Sequence, residues 1–243
     1  MRNWYGDKGP EIEQARQQLF AEFATKGMRN LVDQMDNKEL FSPLIAEARD
    51  KSIAYNAADT MSWQALEYSK TLRSAEDKRE LVQLLSDPAY AGKRLHILRC
   101  LACICNNTQD LELFELFMQI IDKEDDDIVI VSILARIDDV KKPSHVNIAP
   151  LKKLLVEGTF QSRMAAAKAL RHTNDPEVET LVLEELKISD KDTQRRLCLT
   201  LESIGTRQSI PSLKEALKET RDRGFRAYVE RTIAAIEKRE DLT

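Results

Sequence analysis

Apolar residues recur at helical spacing along this chain, and one helical phrase returns five times over its C-terminal two-thirds. Each return runs from an Arg or polar residue through an apolar residue at +3 and a small residue at +6. A Leu or Ile anchor follows at +7 and a further position, usually Ile, at +10. The anchors are Leu101, Leu134, Leu170, Leu201 and Ile233, so the spacings are 33, 36, 31 and 32 residues. Periods of this length belong to helix pairs that stack in series, because one pair cannot bury its apolar face alone. A first helix precedes each anchored one, with apolar positions such as Leu81, Leu84, Leu85, then Leu113, Leu116, Phe117, then Leu151, Leu154, Leu155. In the fourth pair Glu185 stands where the others place an apolar residue, with Leu186 as substitute after a small rotation of the helix.

Residues 1–75 carry a weaker helical pattern. Glu11 to Lys26 reads as an amphipathic helix closed by Gly27, Phe41 to Lys51 as a second and Thr60 to Arg73 as a third. These predict a helical cap, covering the apolar edge that a terminal repeat cannot leave open. A degenerate sixth repeat is expected over about residues 39–74. Residues 76–243 are expected to hold five repeats. Helix boundaries carry their own chemistry: Asp87-Pro88 and Asp175-Pro176 set an N-cap acceptor before a proline, while Gly158 and Gly205 fall at helix C-termini.

Composition narrows the class. Aromatics are 6% and charged residues 32%, with only seven Gly and seven Pro, which is a helical composition and predicts an all-α chain without strands. The net charge of −4 argues against coating nucleic acid by bulk charge. That charge is unevenly placed, because residues 101–150 carry 4 basic and 10 acidic side chains. Neither a signal-peptide core nor a membrane-spanning apolar run is present, so no membrane partner is expected. The four cysteines, three of them in Cys100-Leu-Ala-Cys103-Ile-Cys105, sit inside a helical pattern and predict reduced thiols in the cytoplasm.

The Ile-Pro-x-Leu opening at Ile210, the Asp/Asn turns and the Arg at the start of the second helix resemble HEAT or HEAT-like repeats over about residues 76–240. The phrases starting at Arg163 and Arg226 match best. The resemblance implies a right-handed α-α superhelix whose second helices line a concave face, and a binding or scaffolding function without cofactor. In that family the starting Arg tends to pair with an Asp of a neighbouring turn; Arg94, Arg163 and Arg226 keep the Arg, whereas Asp127 and Gln194 depart, which predicts local irregularity.

On the five second helices, counted from position 0 to +10, ten Lys or Arg face three acids. Most lie off the core offsets, and Arg99, Lys168 and Arg231 share offset +5, forming an expected ladder. The candidate partner-binding residues are therefore Arg99, Arg136, Lys168, Arg171, Arg195, Arg196 and Arg231, with Tyr228 at offset +2 for stacking or hydrogen bonding. A groove of one sign attracts the opposite sign, and Arg forks suit carboxylate or phosphate oxygens. The expected partner is an acidic or phosphorylated protein segment. The alternative is nucleic acid, since some HEAT-like proteins are alkylpurine DNA glycosylases; this chain resembles them in architecture only, with Trp4 and Trp63 both N-terminal. Bilin-attaching lyases share the repeat style, but no tetrapyrrole site is legible. His96, Cys100 and Cys103 share one helical face, yet Cys100 fills the small core column, so no metal is expected. Three histidines in three different repeats and the lack of a Gly-x-Ser-x-Gly turn leave no hydrolase to propose.

Overall fold

Four of the five repeating phrases lie in helices whose start is capped by a short polar side chain, Asp126, Thr159, Asp190 and Asp222, and whose apolar positions share one face. In the computed structural model, which describes residues 9–36 and 60–241, the described residues are all-α with no strands. The chain divides into two compact units, residues 1–107 and 108–243.

The first unit contains α1 (Gly9–Gln34), α2 (Met61–Ser69), α3 (Ala75–Ser86), a 3-10 turn (Pro88–Lys93) and α4 (Arg94–Thr108). Gly27 does not close the first helix as expected. It breaks it at φ 79°, a conformation glycine adopts without steric cost, and the chain resumes helix at once. The Glu80 carboxylate makes the restart possible by accepting from the Met28 and Arg29 backbone N–H groups, both at 3.0 Å. The predicted Phe41–Lys51 helix and most of the degenerate repeat lie outside the described residues. α4 is buried on more sides than its pattern implied, with Ile97, Leu98 and everything from Cys100 to Cys105 removed from solvent.

The second unit contains α5 (Leu111–Ile121), α6 (Asp127–Leu134), α7 (Ala149–Glu157), α8 (Phe160–Ala169), α9 (Pro176–Ile188), α10 (Lys191–Ile204), α11 (Ile210–Glu219) and α12 (Arg223–Glu240). Aspartates cap five of these: Asp110, Asp126, Asp175, Asp190 and Asp222 each accept from a backbone N–H of the first turn. The second helices stack in series, α6 on α8, α8 on α10 and α10 on α12, while α5, α7 and α9 form the other layer. This is a HEAT-like solenoid of helix pairs. All five anchors are buried: Leu101, Leu134, Leu170 and Leu201 completely, and Ile233 with 8% exposed. Leu186 is buried in the role expected of it.

The stack carries a recurrent side-chain clamp. Thr200 Oγ1 donates to the Ala167 carbonyl and Thr232 Oγ1 to the Cys198 carbonyl, linking offset +6 of one second helix to offset +4 of the preceding one. At the α10–α11 turn, a Cβ on Gly205 would lie 2.6 Å from the Leu201 carbonyl oxygen and 2.9 Å from Ile236 Cδ1. Close approach, and not a left-handed backbone, keeps glycine there.

Candidate interaction surface

Position 0 of the repeating phrase holds helix ends together. Arg163 Nε donates to the Leu155 carbonyl at 3.1 Å, Gln194 Nε2 to the Leu186 carbonyl at 2.8 Å and Arg226 Nη1 to the Leu217 carbonyl at 2.8 Å. Each acceptor sits at the end of the first helix of the same pair, where carbonyls lack an intrahelical donor. Gln194, a departure from the repeating pattern in sequence, makes the same bond as the arginines, so the expected irregularity does not arise at that turn. It does arise at the pair opened by Asp127: α6 has only eight residues and gives way to an irregular connection up to α7. Asp127 instead accepts from Thr159 Oγ1 at 2.8 Å, tying the starts of α6 and α8 together.

Four of the basic residues at the other offsets, Lys168, Arg171, Arg195 and Arg231, find acids within the chain. Lys168 Nζ lies 2.8 Å from Asp138, and Arg171 Nη1 lies 3.4 Å from Asp138 and 3.2 Å from Asp139. Arg231 directs Nε and Nη2 at one oxygen of Glu202, at 3.1 and 2.8 Å. Arg195 spans Asp192 at 2.9 Å and Asp222 at 3.1 Å; the Phe225 N–H, which Asp222 accepts, and then Arg195 hold the Asp222 carboxyl below its usual range. Arg136 donates to the Ala135 carbonyl at 3.3 Å. Arg196 is exposed and has no ion pair among the described residues; Tyr228 is half-buried at the same offset of the next pair. Arg99 is half-buried in the first unit.

Two of the three ladder residues thus reach back to an acid of the preceding pair. A count of charge that stops at +10 of each second helix ends at residue 137, one position short of Asp138. Exposed pairs such as Arg231–Glu202 contribute little, ~0–1 kcal/mol, so they hold side chains in place more than they hold the fold together.

Sequence reasoning missed the junction between the α6–α7 connection and the turn after α8. His172 has φ 57°, a left-handed conformation uncommon outside glycine. Ser203 Oγ accepts its backbone N–H at 3.1 Å and meets its Nδ1 at 2.9 Å. The Lys142 backbone N–H donates to the His172 carbonyl at 2.9 Å, and the Lys142 ammonium, 1% exposed, donates to the Arg171 carbonyl at 2.8 Å. Desolvation, then the charges of Arg171 and Lys142, push the His172 imidazole below its usual pKa. Ser203, His172 and Asp139 line up, but His172 Nε2 is 3.6 Å from Asp139, beyond hydrogen-bond reach, and the serine is engaged with main chain. The arrangement locks a strained turn and is not set up to activate a nucleophile. Only the left-handed residue itself, in the His-Thr-Asn-Asp run, could have signalled it.

Cys100, Cys103, Cys105 and Cys198 are buried free thiols, and burial pushes the Cys100 thiol well above its usual range. His96 turns to Asp36 at 2.8 Å, and no group of ligands able to hold a metal occurs among the described residues. Among the described residues no helix is long and apolar enough to cross a membrane. Between α9 and α11 lies a cleft of about 550 Å³ floored by Leu183, Leu186, Ala216 and Phe225. The Lys191 ammonium stands 4.8 Å over the Phe225 ring.

No curated protein and no solved structure matches the chain significantly. Residues 148–234 match the family described as HEAT repeats. The match spans α7 to α11 and most of α12, the pairs in which position 0 closes the hairpin and the threonine clamps join one second helix to the next. Over that stretch the chain is similar to HEAT repeats.

Proposed function

We propose that the chain is a non-enzymatic protein-binding module that engages an acidic segment of a partner along its second helices, chiefly on α10 and α12. HEAT repeats generally mediate protein interaction and scaffolding. The observation that carries the finer reading is the grouping of Arg196, exposed and without an ion pair among the described residues, with Arg195, Arg231 and Tyr228 on two directly packed helices. Arg231 keeps 64% of its side chain exposed while Glu202 fixes its direction, so a partner carboxylate meets a guanidinium already oriented. Lys168 and Arg171, neutralised by Asp138 and Asp139, join the surface only by exchanging those partners.

That internal neutralisation also favours protein over nucleic acid, because phosphate-backbone binding draws on many uncompensated cations. The test is retention of partners from native lysate at low salt, with and without nuclease. The reading predicts a nuclease-resistant acidic protein; retained nucleic acid lost on nuclease treatment would replace it.

A further inference from the structure

The cations of the second helices are largely matched by acids of the same unit, whereas a set of acids on the opposite layer is not. Two clefts, of about 420 and about 210 Å³, adjoin along α5 and α7, sharing Asp122 and Pro150 as common wall. Their apolar floor is supplied by Met118, Ile121, Pro150 and Leu154. Around them stand Glu115, Asp122, Asp125 and Glu157, none of which has an ion pair among the described residues; Lys123, Lys153 and His145 are the opposing charges.

Helix chemistry does not explain these acids. Asp126 and Asp127 of the same acidic run have structural work: Asp126 caps the Ile128 N–H at 2.9 Å and Asp127 accepts from Thr159 at 2.8 Å. Asp122, however, sits at the C-cap of α5 and Glu157 is the last residue of α7, the ends at which the helix dipole favours cations. Neither helix carries a basic residue in its last turn. Two acids are therefore held where the fold itself gains nothing from them. Beside the second cleft, at the junction made by Thr159 and Asp127, large apolar side chains are left in solvent: Ile128 is 65% exposed, Phe160 51% and Val156 48%. Apolar anchors beside an acidic cleft are the composition of a docking surface, since scattered exposure would not gather at one turn.

We propose that the α5–α7 face docks a basic amphipathic segment of a partner protein, its Lys and Arg side chains meeting Asp122, Asp125 and Glu157 and its apolar face covering Val156, Phe160 and Ile128. The segment is complementary in charge to this face and opposite in charge to the partner of the α10–α12 surface. The chain then has two docking surfaces of opposite preference, one on each layer of helices.

The test titrates the full chain with two fluorescent peptides, one with Lys/Arg on one helical face and Leu on the other, and one in which Glu replaces each Lys and Arg. The basic peptide binds, more weakly as salt rises, and Asp122→Lys with Glu157→Lys lowers its affinity about tenfold or more. Both substitutions suit a helix C-terminus, so helicity is retained; Val156→Ser, a neutral change beside the cleft, weakens binding as well. Arg195→Glu with Arg196→Glu leaves the basic peptide's binding unreduced, which separates this surface from the one on α10 and α12. Equal affinity for both peptides, or a charge-reversed variant that binds the basic peptide as wild type does, overturns the proposal.

Discussion

Arg163 Nη2 donates to Glu185 Oε2 at 2.8 Å, and the carboxylate it meets is only 7% exposed. This bond joins the second helix of one pair to the first helix of the next, and it accounts for an acid at a position that is otherwise apolar. The same guanidinium reaches Ser189 Oγ at 3.2 Å and the Leu155 carbonyl, so one side chain ties three elements together.

Removing the arginine strands a buried carboxylate. Arg163→Ala is expected to cost ~3 kcal/mol in urea unfolding, whereas Arg163→Met combined with Glu185→Leu recovers most of that loss, because a packed apolar pair tolerates the site. Equal losses in the single and double variants would show that the pair has no such role.

The threonine clamps set the register between second helices. Thr200→Val and Thr232→Val keep the shape and remove the hydroxyl, and each is expected to cost ~1 kcal/mol. Because Thr200 and the Cys198 acceptor of Thr232 lie two residues apart on α10, the double variant should depart from additivity when measured by the same unfolding transition.

The buried anchors test the repeat register. Leu170→Ala or Leu201→Ala should destabilise by ~2–5 kcal/mol, as expected of fully buried leucines. A near-zero change in denaturant midpoint for either would contradict the register.

The His172 turn gives a pH signature. Its folded-state pKa is lowered from 6.5, so the unfolded chain binds the proton more readily. The associated stability is fully present above 6.5 and declines as pH falls below it towards the folded value. His172→Asn, which tolerates the left-handed backbone, should flatten that decline in unfolding measured as pH falls below 6.5. An unchanged slope would place the titration elsewhere.

The architecture was legible because burial and period are properties of a single helix face: Leu101 through Ile233 follow one spacing, and all are buried. The charge pattern was less legible, because it depends on which side chains meet across pairs. Asp138 neutralises Lys168 from just beyond the repeating phrase, and Gln194 does an arginine's work through a different donor. The five aspartate caps follow a local rule, and Asp175 was marked by the proline after it. The His172 junction left almost no trace, since its lock is a serine 31 residues away.

The guanidinium groups of α10 and α12 are proposed to meet an acidic partner. The most direct test is the affinity of the captured acidic partner for wild type and for Arg195→Glu with Arg196→Glu, each at low and high salt, with helicity checked by circular dichroism. Binding is expected to weaken with salt in the wild type and to be lost in the variant at unchanged helicity. Binding that is indifferent both to salt and to the double reversal would contradict it.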